Sequence, residues 1–318
     1  MQNRTLGRTG LSIAPIVFGG NVFGWTADEK TSFQLLDSFF DSGFNAIDTA
    51  DVYSAWVPGH EGGESETIIG KWLKHSAVKR EDAIIITKVG FDNNERKTGL
   101  SAKWIAEAVE NSLRRLQTDH IDLYLAHKPD DAVPLEETLG AFARLKEEGK
   151  VRAIGCSNYN ADQLQASLEV AAQTGLGRFD VLQPEYNLYT RSKFEGPLAE
   201  LCTKEEIGVI NYYSLAAGFL TGKYRTKADT EGVARSYRVG NYLDPRGLAI
   251  LGAMDTISAE TGARHADIAL AWLLAKKSVT APIASATSLS QLESFKRAID
   301  LTLSDEMMQL LDDAGAGE

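Results

Sequence analysis

IDLYLAH (Ile121–His127) and VRAIGCS (Val151–Ser157) are two short apolar runs separated by one longer, more polar segment. Runs of this length and composition are typical of strands that are buried on both faces. The segment between them contains Pro134 and ends at Gly149, residue types that are favoured at the first turn of a helix and just past its end. A strand, a helix and a second strand in this order predict a parallel βαβ unit.

The same alternation of short apolar runs and amphipathic segments extends over the rest of the chain. It predicts eight parallel strands and hence an α/β fold, a (β/α)8 TIM barrel with extra C-terminal helices. Gly7 and Gly10 in the segment Arg4–Ile13 predict a β-hairpin that closes the bottom of the barrel. A chain of 318 residues suits one such domain, residues 1–318. The predicted strands are Ile16–Gly19, Phe44–Asp48, Ile84–Lys88, Ile121–His127, Val151–Ser157, Val181–Gln183, Val209–Tyr212 and Thr280–Ile283.

Local signals place the helices and one long loop. Asp28 and Ser101 are N-cap residue types that precede helical patterns, the first of which runs to Phe40. The stretch Tyr213–Tyr242 contains too many glycines and polar residues for one helix. We therefore expect a long loop after the seventh strand, and long loops in compact domains are often functional.

Composition limits the kinds of partner. The formal net charge is −11, which argues against nucleic acid and against an anionic membrane surface as partners. No apolar run approaches the roughly 18 residues of a membrane span, and MQNRTLGRTG lacks the apolar stretch of a signal peptide. Cys156 and Cys202 form neither a disulfide framework nor a zinc-ligand pattern, so no metal site is predicted. These features predict a cytoplasmic protein that acts on small molecules.

Polar residues stand at the C-terminal ends of five successive predicted strands. Side chains alternate along a strand, so that Ala153, Gly155 and Ser157 share one face while Cys156 faces the helices. Enzymes with this fold build their active sites where the strands end, at the rim of the barrel. Five polar residues in five consecutive units therefore indicate an active site there. The five are Asp48, Lys88, His127, Ser157 and Gln183.

These groups suit the delivery of a proton to a carbonyl oxygen. Tyr53 follows Asp48 by five residues, where a loop can turn its side chain back over the rim. A phenol has an ordinary pKa of about 10, and a nearby ammonium group such as that of Lys88 is expected to lower that pKa. Asp48 is expected to hold Lys88 in place. His127 can hydrogen-bond the substrate oxygen and orient it.

Several segments resemble the aldo-keto reductase family, in the order in which the family has them. The resemblance implies NAD(P)H-dependent reduction of an aldehyde, ketone or sugar carbonyl, or the reverse reaction. It implies a catalytic tetrad of Asp48, Tyr53, Lys88 and His127. The similar segments are GFNAIDTADVY (Gly43–Tyr53), ITKVG (Ile86–Gly90), DLYLAHKPD (Asp122–Asp130), IGCSNY (Ile154–Tyr159), QPEYNLY (Gln183–Tyr189) and GFLTGKY (Gly218–Tyr224).

The resemblance also implies a set of nicotinamide contacts. It assigns hydrogen bonds to the carboxamide to Ser157, Asn158 and Gln183. It places Tyr212 under the nicotinamide ring, with the adjacent Tyr213 as the alternative. The family's Tyr-Ser-Pro-Leu pattern reads Tyr-Tyr-Ser-Leu in this chain, which leaves the pyrophosphate contacts open. Further positions assigned to the cofactor are Gly19, Gly20, Ser214 and Leu215.

The segment that follows the eighth strand departs from the family. Family members often bind the 2′-phosphate of NADP with basic residues there, but residues 282–292 contain no Lys or Arg. Lys223 and Arg225 from the long loop are candidate phosphate clamps. NADP(H) is the predicted cofactor, and NAD(H) is the alternative. The candidate ligands of a phosphate or ribose in the segment itself are Ser285, Thr287, Ser288 and Gln291.

Substrate choice is expected to depend on the loops at the rim. Phe23, Trp25 and Trp56 follow the first two strands and predict an aromatic wall. The loop from Pro58 to Ser65 can fold over the site. Its HEGGE sequence lacks the second histidine of a zinc protease, and no G-x-G-x-x-G follows the first strand.

Two further hypotheses come from other functional classes. The first is a cofactor-sensing binding subunit, like the ion-channel partners that share this fold. The second is a Schiff-base lyase that uses Lys88, although the adjacent Asp48 should keep that lysine protonated. The substrate, the reaction direction and the choice between monomer and small homo-oligomer stay open.

Overall fold

The computed structural model describes residues 1–91, 99–232 and 236–317. Eight parallel strands form one sheet in the order β10-β3-β4-β5-β6-β7-β8-β9, and a two-stranded hairpin, β1-β2, precedes them. The strands are β1 (Arg4–Thr5), β2 (Ser12–Ile13), β3 (Val17–Gly19), β4 (Ala46–Asp48), β5 (Ile84–Val89), β6 (Ile121–Ala126), β7 (Val151–Ser157), β8 (Val181–Gln183), β9 (Gly208–Val209) and β10 (Ile283–Ala284).

Hydrogen bonds between the two edges of the sheet close it into a barrel. The amides of Thr280 and Ala281 donate to the carbonyl of Val209 at 2.8 and 3.2 Å. The amide of Ile283 donates to the carbonyl of Asn211 at 2.8 Å. The predicted barrel fold is thereby confirmed.

Helices follow the strands as expected. The side chains of Asp28 and Ser101 accept hydrogen bonds from the backbone amides of Thr31 and Trp104, so both predicted N-caps are confirmed. The helices are α1 (Glu29–Asp41), α2 (Glu64–His75), α3 (Ala102–Leu116), α4 (Leu135–Glu147), α5 (Ala161–Thr174), α6 (Pro197–Lys204), α7 (Ser236–Val239), α8 (Pro245–Thr261), α9 (His265–Ala275), α10 (Leu289–Asp300) and α11 (Asp305–Ala314).

The core has two layers, as the strand parity predicts. Leu125 and Ala153 lie in the cluster inside the barrel, whereas Ile154 and Cys156 lie in the larger cluster between sheet and helices. The hairpin closes the bottom of the barrel, since Leu6 and Ile13 belong to the inner cluster. Gly7 has a φ of +53°, and a Cβ there would come 2.4 Å from the carbonyl oxygen of Asp180. This position therefore requires glycine.

The predicted boundaries of the last two strands differ from those observed. The seventh strand ends at Val209, and Tyr212 forms only an isolated bridge with Glu185. The side chain of Asn211 donates to the carbonyl of Tyr186 at 2.7 Å, and the backbone amides of Ile210 and Tyr212 still donate to the carbonyls of Leu182 and Pro184 at 3.1 and 2.9 Å. The stretch 213–242 is a long connection with short helical turns and α7, as expected, although residues 233–235 lie outside the described residues.

Candidate active site

The five predicted polar residues all lie at the rim, where the strands end. Asp48, Ser157 and Gln183 are the last residues of β4, β7 and β8. Lys88 is the penultimate residue of β5, and His127 directly follows β6. The parallel order of the strands brings their side chains to one end of the barrel, as predicted.

A buried ion pair forms the centre of the site. The Nζ atom of Lys88 lies 2.8 Å from Oδ2 of Asp48, 2.7 Å from the carbonyl oxygen of Thr49 and 3.4 Å from the hydroxyl of Tyr53. Lys88 is fully buried, and three acceptors match the three donors of an ammonium group. The side-chain amide of Gln183 donates to Oδ1 of Asp48 at 2.8 Å, which fixes the carboxylate from its other side.

The electrostatics keep Tyr53 protonated. Burial raises the pKa of Tyr53 well above its ordinary value, and the negative charge of Asp48 raises it further. The expectation of a lowered pKa is therefore wrong for this structure, because the burial of the phenol and then the charge of Asp48 both act in the opposite direction. Burial lowers the pKa of Lys88 and raises that of Asp48, while each partner opposes the shift of the other. The phenol thus holds a proton that it can donate.

His127 is a neutral imidazole beside the phenol. Burial lowers its pKa well below the ordinary value, and the positive charges of Lys88 and Lys128 lower it further. Its ring centroid lies 6.1 Å from that of Tyr53. The buried Nδ1 atom finds no hydrogen-bond partner among the described residues. A neutral imidazole has one N–H donor, which suits a bond to an uncharged carbonyl oxygen.

The backbone around Tyr53 is held by the first turn of α2. The carbonyl oxygen of Tyr53 accepts hydrogen bonds from the amides of Gly63 and Ser65 at 2.8 and 3.2 Å. The carboxylate of Glu64 accepts one from the amide of Ser54 at 3.1 Å and others from residues 61 and 62. Sequence reasoning missed Glu64, although an acidic residue in the first turn of a helix is a recognisable anchor.

The predicted nicotinamide contacts are linked to one another. Ser157 donates through its hydroxyl to the carbonyl of Gln183 at 2.8 Å. Asn158, with a φ of +63°, donates to the carbonyl of His127 at 2.8 Å and accepts from the hydroxyl of Tyr212 at 2.7 Å. The contact to Asn158 distinguishes Tyr212 from its neighbour Tyr213. Hydroxyl and amide groups with both donors and acceptors therefore stand beside a tyrosine ring.

The hydroxyls predicted to bind the outer part of the cofactor have partners within the protein. Ser285 donates to the carbonyl of Gly19 at 2.7 Å, and Ser214 donates to the carbonyl of Ile283 at 2.7 Å. The hydroxyl of Ser288 caps α10 by accepting from the amide of Gln291 at 3.4 Å.

Further contacts lie where β3, β10 and the start of α10 meet, a region that we call the junction of β3, β10 and α10. Thr287 contacts the side-chain oxygen of Gln291 through its amide at 2.9 Å and its hydroxyl at 3.2 Å. Gly20 accepts a hydrogen bond from the hydroxyl of Ser65 at 2.8 Å, and Leu215 is half-buried against the core.

The two basic candidates in the long loop differ in their contacts. Arg225 pairs through two nitrogens with both carboxylate oxygens of Asp255, at 2.9 and 2.7 Å. Lys223 stacks over the ring of Tyr224 at 4.8 Å. Sequence reasoning missed a third cation, Arg238, whose guanidinium lies 4.8 Å from the ring centroid of Tyr213. Arg225 is therefore already paired with a carboxylate, whereas Lys223 and Arg238 contact aromatic residues, and Arg238 also donates to the hydroxyl of Tyr237 at 3.4 Å.

Of the three residues predicted to form an aromatic wall, Trp25 and Trp56 lie near Tyr53 and Phe23 does not face the site. Phe23 is fully buried and stacks on Phe18 at 5.2 Å, so it supports the rim and does not line a pocket. The ring of Trp56 is 46% exposed and lies 5.6 Å from that of Trp25 and 5.5 Å from that of Tyr53. Sequence reasoning missed Phe91, which is 41% exposed and lies 4.9 Å from His127. Phe91 follows β5 by two residues, and no local pattern in the sequence marks it as part of the site.

A second buried polar cluster lies on the helix side of Lys88. The carboxylate of Glu66 accepts hydrogen bonds from Arg115 and Thr87, both at 2.6 Å. The charges of Glu66 and Arg115 both act on the carboxyl group of Asp51. The Oδ1 atom of Asp51 finds no hydrogen-bond partner among the described residues. Burial, followed by the negative charge of Glu66, raises the pKa of Asp51 to about 7.

The sequence profile of the Aldo/keto reductase family matches residues 15–316. The chain belongs to the aldo-keto reductase family. It is 33% identical over 326 residues to "Uncharacterized oxidoreductase YrpG" of Bacillus subtilis, covering 100% of this chain and 97% of the relative. It is also 33% identical to "Aldo-keto reductase YhdN" of the same species, covering 96% and 91%.

A third relative has a different kind of name. "Probable voltage-gated potassium channel subunit beta" of Oryza sativa is 32% identical over 310 residues, covering 95% of this chain and 92% of the relative. The chain is thus about equally similar to relatives named as oxidoreductases and to one named as a channel subunit. The predicted family and the predicted barrel fold are both confirmed.

Within the described ranges, no three His, Cys, Asp or Glu side chains are grouped so that they could hold a metal ion. In the same ranges no helix is long and apolar enough to cross a membrane.

Proposed function

We propose that this chain reduces the carbonyl group of an aldehyde, ketone or sugar with NAD(P)H, or catalyses the reverse reaction. The observation that carries the proposal is the hydroxyl of Tyr53 3.4 Å from Nζ of Lys88, beside the ring of His127. The raised pKa of Tyr53 and the lowered pKa of His127 support it. The family membership and the oxidoreductase names of two relatives support it. A small-molecule carbonyl or alcohol is the partner.

Each residue of the tetrad has a distinct task in this proposal. Tyr53 donates its proton to the carbonyl oxygen as the carbon is reduced. Lys88 stabilises the phenolate that remains, because its ammonium lies next to the phenol oxygen. Asp48 holds Lys88 in place, and His127 donates a hydrogen bond that orients the substrate oxygen.

The residues present fit a nicotinamide cofactor. A carboxamide needs both a donor and an acceptor, and Ser157, Asn158 and Gln183 offer hydroxyl and amide groups next to the ring of Tyr212. When bound, the reduced nicotinamide supplies the hydride. We propose NADP(H) as the cofactor, with its 2′-phosphate near the N-terminus of α10 and Lys223 as a candidate clamp, and NAD(H) as the alternative. A kcat/KM with NADH equal to or above that with NADPH would overturn this choice.

Replacement of the proton donor tests the proposed function. Tyr53→Phe should lower kcat for carbonyl reduction by about 10²–10⁴-fold, since it removes the acid but keeps the ring. The affinity for NADPH, measured by quenching of protein fluorescence, should stay within about twofold because the phenol does not hold the cofactor.

Tyr124→Phe is the matched control for this variant. Tyr124 is fully buried in β6, and its hydroxyl finds no hydrogen-bond partner among the described residues. Its loss should leave kcat unchanged. An unaltered kcat in Tyr53→Phe would contradict the proposed mechanism.

The second candidate function is a cofactor-sensing binding subunit. The relatives from Oryza sativa and Arabidopsis thaliana named as potassium channel beta subunits favour it. It predicts NADPH binding without turnover across a broad panel of aldehydes, ketones and sugars. Turnover of any compound in this panel, if it is lost when a residue of the tetrad is replaced, would favour the reductase.

A Schiff-base lyase that uses Lys88 is disfavoured by the contacts of that side chain. An amine nucleophile needs a free lone pair, whereas Nζ of Lys88 donates to three acceptors. Borohydride trapping of a carbonyl substrate on Lys88 would be the result that restores this hypothesis.

A further inference from the structure

A cation stands at the mouth of the proposed site in a chain whose formal net charge is −11. Lys128 directly follows His127, and its Nζ atom lies 5.1 Å from the ring centroid of Phe91. The same ring lies 4.9 Å from the imidazole of His127. Phe91 therefore connects the ammonium group to the residue that is proposed to orient the substrate oxygen.

Among the residues that the structure describes, no carboxylate offsets the charge of Lys128. Across the described part of the chain, no Asp or Glu oxygen lies within 4.0 Å of its Nζ atom. Asp130 is close in sequence, but its carboxylate accepts hydrogen bonds from the amides of Leu100 and Ala132 at 2.8 and 3.0 Å. An aromatic face attracts and orients a cation but does not neutralise it. The described residues therefore leave the positive potential of Lys128 at the mouth, and this charge contributes to the lowered pKa of His127.

The place of Lys128 on the rim separates it from the groups proposed to hold the cofactor phosphate. Lys128 and Phe91 follow β6 and β5, whereas those groups lie at the junction of β3, β10 and α10. A negative group on the substrate side would meet Lys128, and the cofactor phosphates would not. A single ammonium group matches one negative charge, as in a carboxylate.

We propose that Lys128 and Phe91 form a subsite for a carboxylate on the carbonyl substrate. The aromatic ring contacts the apolar part of the substrate, and the ammonium group binds its carboxylate, so that aldehydes and ketones bearing a carboxylate are preferred over neutral ones. This inference rests on the proposed function for its role in catalysis.

Matched substrates test the preference. The kcat/KM values for 4-formylbenzoate and for its neutral methyl ester are measured with NADPH in the wild-type chain and in Lys128→Met. The wild type should prefer the carboxylate, and Lys128→Met should lower kcat/KM for the carboxylate by about 5- to 10-fold, as expected for a partly exposed charge pair. The value for the ester should stay within about twofold.

Lys277→Met is the control, because Lys277 is exposed after α9, where the chain enters the opposite end of the barrel, and its loss changes the net charge equally. It should alter neither substrate. Equal kcat/KM values for the two substrates in the wild type, or an equal loss for both in Lys128→Met, would overturn the inference.

A binding measurement separates this inference from the proposed function. The affinities of 4-methylbenzoate and 4-methylbenzamide, neither of which has a reducible aldehyde, are measured by tryptophan fluorescence. The wild type should bind the anion at least about 5-fold more tightly, and Lys128→Met should remove the difference. If no aldehyde is reduced but this difference is present, the proposed function fails and the carboxylate subsite stands. Equal affinities in the wild type would contradict the carboxylate subsite, whether or not the chain reduces aldehydes.

Discussion

On the β4–β6 side of the rim, Lys88 donates all three of its hydrogen bonds to neighbouring acceptors, and His127 keeps a buried nitrogen without a partner among the described residues. On the β9–β10 side, Ser214 and Ser285 are bonded to backbone carbonyls, and Arg225 is paired with Asp255. The buried charges of the β4–β6 side suit one kind of reaction. The neutral hydroxyls of the β9–β10 side also stabilise the fold, and such groups can bind more than one ligand. This difference explains why the site indicates the proposed reaction more clearly than the choice between NADP(H) and NAD(H).

The largest effect is expected where a buried charge loses its partner. Lys88→Met should lower kcat/KM by at least about 10²-fold and the free energy of unfolding by about 3–5 kcal/mol, because Asp48 is left buried and uncompensated. Urea unfolding and steady-state kinetics measure the two effects. Adding Asp48→Asn should recover much of the stability and none of the activity.

An exposed ion pair provides the control for Lys88→Met. Lys71 and Glu29 lie 2.6 Å apart with side chains that are 44% and 51% exposed. Lys71→Met should cost less than about 1 kcal/mol and leave kcat/KM unchanged. If both lysine variants lose equal stability, the claim that the β4–β6 side depends on buried charge is wrong.

A smaller effect is expected from Glu64, which holds the backbone next to Tyr53. Glu64→Ala should lower kcat by about 10-fold with little change in KM, because a small displacement of Tyr53 misplaces the proton donor. Glu64→Gln keeps an acceptor oxygen and should retain more of the activity.

Glu136→Ala is the matched control, since Glu136 is an exposed first-turn glutamate of α4. It should have wild-type kinetics. A rise in KM at constant kcat for Glu64→Ala would show that Glu64 acts on binding and not on the position of Tyr53.

Asp51 predicts a pH dependence of stability on the same side of the rim. Its pKa is raised from 3.8 to about 7, so between these pH values the native chain holds a proton that the unfolded chain releases. The contribution of Asp51 to stability therefore falls as the pH rises through this window, and it is constant above it. Asp51→Asn removes the penalty. Relative to the wild type, its Tm should be about 3–6 °C higher at pH 8 than at pH 5. The same Tm difference at both pH values would refute the raised pKa.

The barrel, the strand parity and the gathering of Asp48, Lys88 and His127 at the rim could be predicted from sequence, because each follows from short-range periodicity and from parallel strand order. The direction in which the pKa of Tyr53 shifts could not, since it depends first on the burial of the phenol and then on the negative charge of Asp48 near it. The burial of Phe23 and the exposure of Phe91 were missed for a related reason. An aromatic residue just after a strand has the same local sequence pattern whether its side chain is buried or exposed.

The smallest effect is expected on the β9–β10 side, from Ser288, whose hydroxyl caps α10 next to the proposed phosphate position. Ser288→Ala should cost about 1 kcal/mol of stability, as the loss of an N-cap usually does, and should raise the KM for NADPH a few-fold at constant kcat. Ser304→Ala removes the equivalent cap of α11, where the hydroxyl accepts from the amide of Met307 at 3.3 Å. It should cost the same stability and leave the KM unchanged. A fall in kcat for Ser288→Ala would mean that the neutral side of the rim also positions the reacting groups, and the contrast between the two sides would then be lost.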